Sequence, residues 1–132
     1  MTWQQLLHSV RVAGQYATDE EARQALEAVL GILGSQLAGE ERCALAAALP
    51  DRARATFVAP IPLTRPVTAP AFVEAVARNL NIPLGQARWH ASSVLAGLAE
   101  LTGSDLVDSL LAALPRGYAL LFGRADLLAQ AA

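Results

Sequence analysis

The sequence contains few of the residues that usually mark a chemical site. Its 132 residues include no lysine, a single cysteine (Cys43) and only 5% aromatic residues. A single cysteine excludes an internal disulfide and a zinc site built from several cysteines. No apolar run approaches the roughly 18 residues that a membrane-spanning helix needs. Because Met1 to Gln5 also lack the pattern of a signal peptide, we expect a cytoplasmic protein with no membrane span.

The charge is nearly balanced, because ten arginines stand against twelve acidic residues and the net charge is -2. Such a chain lacks the broad positive field that nucleic-acid binding usually requires, so we do not expect a nucleic-acid partner. Hydrophobic residues make up 54% of the chain, and much of that fraction is alanine and leucine, which are strong helix formers. This composition favours an all-α protein.

One stretch of the chain occurs twice. Residues 22–57 align without a gap on residues 87–122, with 11 identities in 36 positions. Among the matches are Leu49-Pro50 with Leu114-Pro115. Repetition of this kind indicates tandem structural units. We predict a single domain over residues 1–132, built from pseudo-symmetric internal repeats 2–57 and 68–122, which the proline-rich segment 58–67 joins.

Apolar residues spaced three and four positions apart predict a compact bundle of about seven or eight helices and no β-sheet. Residues 18–21 are a predicted capping box, Thr68 is a predicted cap, and each Leu-Pro should end one helix and begin another. The join is predicted to be extended and to lie on the protein. The predicted helices cover residues 2–12, 18–33, 40–48, 50–56, 68–80, 84–98, 102–114 and 115–121. Phe57 and Phe122 are predicted to lie just past the two short helices, and residues 124–132 either add a turn or fray.

Each copy has a long helix with apolar residues at corresponding positions and a second helix that ends in Leu-Pro. The residues are Ala22, Ala25, Val29, Leu30, Leu33 and Leu49-Pro50 in the first copy, and Ala87, Val94, Leu95, Leu98 and Leu114-Pro115 in the second. In this order and double occurrence, nearly the whole chain resembles the bacterial family called domain of unknown function 2267. The resemblance implies an all-helical prokaryotic protein and supplies no catalytic residue, binding residue or cofactor. The chain departs from the family pattern in its apolar join and in Ala48 and Ala113, where glutamine is common.

Patterns for catalysis or metal binding do not emerge. His8 and His90 lack the spacing of paired metal ligands, and neither a G-x-S-x-G motif nor a glycine-rich phosphate loop is present. We therefore predict no catalytic residue, no metal site and no cofactor. The acidic residues Glu40, Glu41 and Asp105 stand at predicted helix N-termini, where the helix dipole accounts for them.

Trp89 and His90 are the first candidates for an interface or a ligand site. In the alignment of the two copies they replace Gln24 and Ala25, and Trp89 falls off the apolar stripe of its helix. The tryptophan either packs within the chain, over the C-terminal tail, or anchors a contact with another molecule.

Arg23 and Arg88 recur at the same position of both copies. They are either solvated residues, with Arg23 paired to Glu27 one turn on, or an anion-binding pair. The join provides the remaining candidates, because it places apolar side chains beside arginine on a proline-stiffened segment: Ile61, Leu63 and Arg65.

These features favour a non-enzymatic protein–protein interaction or regulatory module that binds another protein or a second copy of itself. The alternative is a binder of a small apolar or anionic ligand between the repeats, using Trp89 and arginine. An enzyme would need residues that converge only in three dimensions. An interaction module predicts a flat patch around Trp89 or segment 58–67, whereas a ligand binder predicts a concave pocket.

Overall fold

Eight α-helices lie within residues 1–124, the part of the chain that this computed structural model describes. That part contains no β-strand, which confirms the predicted all-α class. The division into two tandem repeats stays a prediction. The helices are α1 (Trp3–Gly14), α2 (Asp19–Gly34), α3 (Gly39–Ala48), α4 (Asp51–Val58), α5 (Ala69–Leu80), α6 (Leu84–Thr102), α7 (Ser104–Ala113) and α8 (Tyr118–Leu121).

Threonine caps begin two helices where the sequence predicts them. The Thr18 hydroxyl accepts a hydrogen bond from the N–H of Glu21 at 3.2 Å, and the Thr68 hydroxyl accepts one from the N–H of Ala71 at 3.3 Å. Each bond satisfies a backbone donor that the helix itself leaves without a partner. The predicted capping box at Thr18 is incomplete, because the Glu21 carboxylate accepts from the N–H of Ala17 instead of Thr18.

Three helices extend two or more residues further than predicted, and the first of them, α1, ends at Gly14 and not at Val12. Helix α4 continues to Val58, so Phe57 lies inside the helix, fully buried, and not just past its end. A tertiary contact explains the extension: the Arg42 guanidinium lies 5.7 Å from the centre of the Phe57 ring and donates to the Val58 carbonyl. Helix α6 continues a full turn past its predicted end, to Thr102. The helical turn predicted for the C-terminal segment lies outside the described residues from position 125 onward.

The two long helices, α2 and α6, supply much of the core, and each buries seven residues. Helix α1 packs closely against α6 at Gly97, where a Cβ atom would lie 3.1 Å from the Cα of Val10. Across this contact the Ser9 hydroxyl donates to the Gly97 carbonyl at 2.9 Å. A Cβ atom there would make α1 shift by a few tenths of an ångström, so glycine favours the close approach of the two helices.

Arginine side chains close the ends of several helices. Arg42 donates to the carbonyls of Gly34, Val58 and Pro60 at 3.2, 3.1 and 2.9 Å. Arg54 donates two bonds, both 2.7 Å, to carbonyls at the end of α3. These contacts use the fork of donors on a guanidinium group, which a lysine ammonium does not offer. Arg42 and Arg54 therefore hold helix ends in place within the fold.

The join between α4 and α5 lies on the protein, as predicted. The N–H of Leu63 donates to the Ser35 carbonyl at 2.8 Å, and the N–H of Val67 donates to the side-chain oxygen of buried Gln36 at 2.6 Å. The Tyr118 hydroxyl donates to the Val67 carbonyl at 2.8 Å. These bonds fix the backbone of the join at two points.

Candidate functional site

The seven predicted residues lie on four surfaces and not in one site. Arg88 and its sequence neighbour Trp89 lie on different surfaces, since residues adjacent on a helix point about 100° apart. The join carries Ile61, Leu63 and Arg65. A cleft between α2 and α6 contains Trp89 and His90, and a depression beside that cleft contains Arg23. Arg88 lies in a groove between α5, α6 and α8.

The join presents apolar side chains to solvent, and we call Val58, Ile61 and Leu63 the ridge. Ile61 is 87% exposed, Leu63 49% and Val58 41%. Because the backbone beneath Leu63 is fixed by its bond to Ser35, little conformational entropy remains to be lost there on contact. Arg65 is also exposed. The ridge is an ordered apolar surface next to a positive charge.

The turn after α1 places Tyr16 opposite α6. Gln15 adopts a left-handed conformation with φ 53°, and the chain turns back so that the N–H of Tyr16 donates to the Arg11 carbonyl at 3.0 Å. A Cβ atom on Gly14 would collide with the Tyr16 ring, so a glycine at the end of α1 makes room for it. Local turn chemistry therefore sets the position of the tyrosine.

Tyr16, Trp89 and His90 form the aromatic walls of what we call the aromatic cleft. The Tyr16 hydroxyl lies 2.5 Å from Nδ1 of His90, and the two ring centres are 5.4 Å apart. Trp89 is 51% exposed, and its Nε1 donates to the Gly14 carbonyl at 2.9 Å. The cleft has a volume of about 420 Å³, and its other lining residues are Glu21, Gln24, Ala25, Leu80, Ile82 and Gln86.

Burial shifts the protonation of both cleft rings toward the neutral form. It lowers the pKa of His90 below the ordinary value of 6.5, and the Glu21 carboxylate opposes that change. It also raises the pKa of the Tyr16 hydroxyl above the ordinary value of 10.0. At pH 7 the cleft therefore holds a neutral imidazole, a protonated phenol and one carboxylate.

Arg23 lies in a depression of about 530 Å³ between α2 and α5, which shares Gln24 and Leu80 with the aromatic cleft. Its guanidinium donates to Glu20 and, at 2.7 Å, to the predicted partner Glu27. The hydrogen bond with Glu20 is the main reason that the pKa of Arg23 lies above its ordinary value. Two carboxylates compensate this guanidinium, and it lies in a different depression from that of Arg88.

A groove of about 390 Å³ runs between α5, the start of α6 and α8, and we call it the apolar groove. Leu84 and Leu120 flank it and are 56% and 48% exposed. Arg88 and Glu74 are its charged residues. The other lining residues are small or apolar: Ala69, Pro70, Val73, Gly85, Gly117 and Leu121.

Residues 3–121 match the model of the protein family described as "Uncharacterized conserved protein (DUF2267)". The chain belongs to this family. No curated protein matches it. The predicted resemblance is therefore confirmed over nearly the whole described chain.

The described part of this DUF2267 chain, residues 1–124, contains neither a metal-ligand cluster nor a membrane-spanning helix. Residues 1–124 hold no group of three or more histidine, cysteine, aspartate and glutamate side chains placed to bind a metal ion. None of the helices in that part has both the length and the apolar character to cross a bilayer.

Tyr16 and Glu21 complete the aromatic cleft, although Tyr16 lies between two predicted helices and Glu21 belongs to the predicted capping box. Tyr16 meets His90 across 74 positions of the chain, a separation that no local pattern reports. Leu84 and Leu120 of the apolar groove were missed as well. The sequence does contain a weak indication that these two leucines are exposed. Each lies in the first or last turn of a helix, where fewer neighbouring residues are available to cover a side chain.

Proposed function

We propose that this protein is a non-enzymatic interaction module that binds an acidic, amphipathic helical segment of a partner protein in the apolar groove. The observation that carries the proposal is the pair of half-exposed leucines, Leu84 and Leu120, on either side of a concave apolar surface that includes an arginine. Apolar anchors in a groove are the usual way in which an amphipathic helix is held.

The apolar part of the groove explains the expected affinity. Val73 and Leu121 are buried beneath it, while Leu84 and Leu120 stand above them and remain open to water. Each exposed leucine that a partner covers contributes up to about 1.5 kcal/mol by removing apolar surface from water. Because these residues belong to helices, little ordering of the groove is needed on binding.

The charges around the groove explain the preference for an acidic segment. Arg88 lines the groove, and Arg116 is the residue before Gly117, which also lines it. Within residues 1–124 neither arginine forms an ion pair. Glu74 lies on α5. The acidic groups of the partner are therefore expected to face α6 and α8, away from Glu74.

The test uses a fluorescent synthetic helix of about 14 residues, with leucines spaced three and four positions apart and glutamates between them. Fluorescence anisotropy measures its binding, and a second peptide with lysine in place of glutamate is the charge control. We expect the acidic peptide to bind at least about tenfold more tightly. Leu120→Ser and Arg88→Glu should each weaken it, while Leu101→Ser, a leucine outside the groove, should leave it unchanged.

Equal binding of the two peptides, or equal binding by the Leu120→Ser and Leu101→Ser variants, would contradict the proposal. A chain that ends at Arg124 provides a second control. If only this shortened chain binds the acidic peptide, the groove is occupied by the chain's own C-terminal residues, and a partner protein is not its occupant. If the wild-type chain dimerises and the dimer excludes the peptide, the occupant is a second copy.

A further inference from the structure

The aromatic cleft and the apolar groove lie at opposite sides of α6 and have different chemistry. The groove is apolar and has Arg88 on its wall, whereas the cleft combines aromatic rings, two side-chain amides and a carboxylate. The proposed interaction module does not use the cleft. Its rings are nevertheless held in place, which is the usual property of a binding site and not of a solvated surface.

Hydrogen bonds fix both aromatic walls. The indole N–H of Trp89 is held by the Gly14 carbonyl, and the Tyr16 hydroxyl is held by Nδ1 of His90. The Tyr16 backbone is held in turn by Arg11, which donates to its carbonyl at 3.2 Å. The faces of Trp89 and Tyr16 are therefore positioned without a ligand, so binding would require little reordering of these rings.

The electrostatics of the cleft favour a positive ligand. Glu21 lines the cleft, and no arginine is among the residues that line it. The neighbouring carboxylates Glu20 and Asp19 form ion pairs with arginines, whereas Glu21 forms none within residues 1–124. With a neutral His90, the cleft carries a net negative charge beside two aromatic faces.

We infer that the aromatic cleft binds a small organic cation, an ammonium or guanidinium group carried on an apolar stem. The cation lies against the faces of Trp89 and Tyr16, where the ring quadrupole attracts positive charge, and near the Glu21 carboxylate. The stem lies against Leu80 and Ile82. The same arrangement repels carboxylate ligands, since Glu21 would face a like charge without compensation.

The test compares three probes that share one five-carbon stem and differ in charge: pentylamine, pentanol and pentanoate. Trp89 fluorescence in a Trp3→Phe background reports binding, because Trp3 and Trp89 are the two tryptophans of the chain. We expect a saturable change with pentylamine at millimolar concentrations, corresponding to a free energy of binding of about -4 kcal/mol. Pentanol should bind about tenfold more weakly, and pentanoate should give no saturable change.

Glu21→Gln removes the charge and keeps the shape of the side chain, so pentylamine affinity should fall about fivefold. Glu74→Gln, which removes an exposed acid in the apolar groove, is the matched control and should not change the affinity. Equal affinities for pentylamine and pentanol, or an unchanged affinity in Glu21→Gln, would overturn the inference. The result does not depend on the peptide experiment, because no probe or variant in this test needs the apolar groove to be a docking site.

Discussion

Arg88 and Trp89 are neighbours in the chain, yet they belong to different surfaces of α6. Arg88 lines the apolar groove with the half-exposed Leu84 and Leu120, while Trp89 and His90 form a wall of the aromatic cleft. The groove combines apolar surface with an arginine, and the cleft combines aromatic rings with a carboxylate. The two surfaces are therefore suited to ligands of opposite charge and different size.

The two proposals assign two kinds of recognition to one helix. A groove with exposed leucines gains affinity by covering apolar area, which suits a protein segment. A cleft with fixed rings and one carboxylate gains affinity from a few directed contacts, which suits a small cation. Substitutions near the groove should lower the free energy of unfolding more than substitutions in the cleft, because the groove lies over the core and the cleft lies at a helix end. The two tyrosines of the chain test that expectation directly.

The largest expected effect comes from Tyr118→Ala, near the apolar groove. Tyr118 is fully buried, its ring centre lies 5.4 Å from that of Phe72, and its hydroxyl donates to the Val67 carbonyl. We expect the free energy of unfolding to fall by about 4 kcal/mol, since a large cavity and an unsatisfied carbonyl result. Tyr16→Ala, in the half-buried cleft wall, should lower it by about 1–2 kcal/mol. Urea unfolding of the two variants measures both values. Equal losses would mean that the cleft is as much a part of the core as the groove floor.

Substitutions at the neighbours Trp89 and Arg88 should differ by a smaller amount in their effect on the free energy of unfolding. Trp89→Phe keeps an aromatic ring but removes the N–H that bonds to the buried Gly14 carbonyl, so the free energy of unfolding should fall by about 1 kcal/mol. Arg88→Gln changes an exposed side chain and should alter it by less than about 0.5 kcal/mol. Thermal and urea unfolding of both variants provide the measurement. A larger effect for Arg88→Gln would show that the groove side of α6 depends on this arginine for stability.

His90 makes the cleft sensitive to pH. Because burial lowers its pKa in the folded state, the unfolded chain binds more protons between that pKa and the ordinary value of 6.5. The free energy of unfolding should therefore fall as the pH decreases through this window, and the contribution is fully present above pH 6.5. His90→Gln should flatten this part of the profile, whereas His8→Gln, at an exposed histidine, should keep it. The free energy of unfolding is obtained from unfolding curves measured between pH 7.5 and pH 5. If it falls equally steeply with decreasing pH in wild type and in His90→Gln, His90 is not the group responsible.

The smallest effect on stability is expected at the ridge. Ile61 is 87% exposed, so Ile61→Ser should change the free energy of unfolding by less than about 0.5 kcal/mol. Self-association stays a prediction, and the ridge is where we expect it to act, through apolar contact. Light scattering over a concentration series should show a wild-type dimer that Ile61→Ser converts to a monomer. A variant that remains dimeric excludes the ridge, and Trp89→Ala would then test the cleft side of α6.

Much of the fold could be predicted from the sequence because its signals are local. Threonine caps, apolar spacing and the two Leu-Pro pairs predict helix starts and ends from residues within one or two turns. The prediction for Phe57 was wrong because the end of α4 depends on Arg42, which comes from another helix and bonds to Val58. The candidate site could be predicted only in part. Comparison of the two copies of the repeated stretch singled out Trp89 and His90, because they replace Gln24 and Ala25. No pattern in the sequence singled out their partners Tyr16 and Glu21.

The sequence by itself determined the all-α class, the family and most of the helix boundaries, because each depends on short-range pattern and composition. The tertiary structure alone decided which side chains meet. It brought Tyr16 to His90 across 74 positions and placed Arg88 and Trp89 on different surfaces. The physical reason is that helix packing and turn geometry set these distances: the left-handed Gln15 turns Tyr16 back toward α6, and Gly97 lets α1 approach α6 closely enough for Trp89 to reach Gly14.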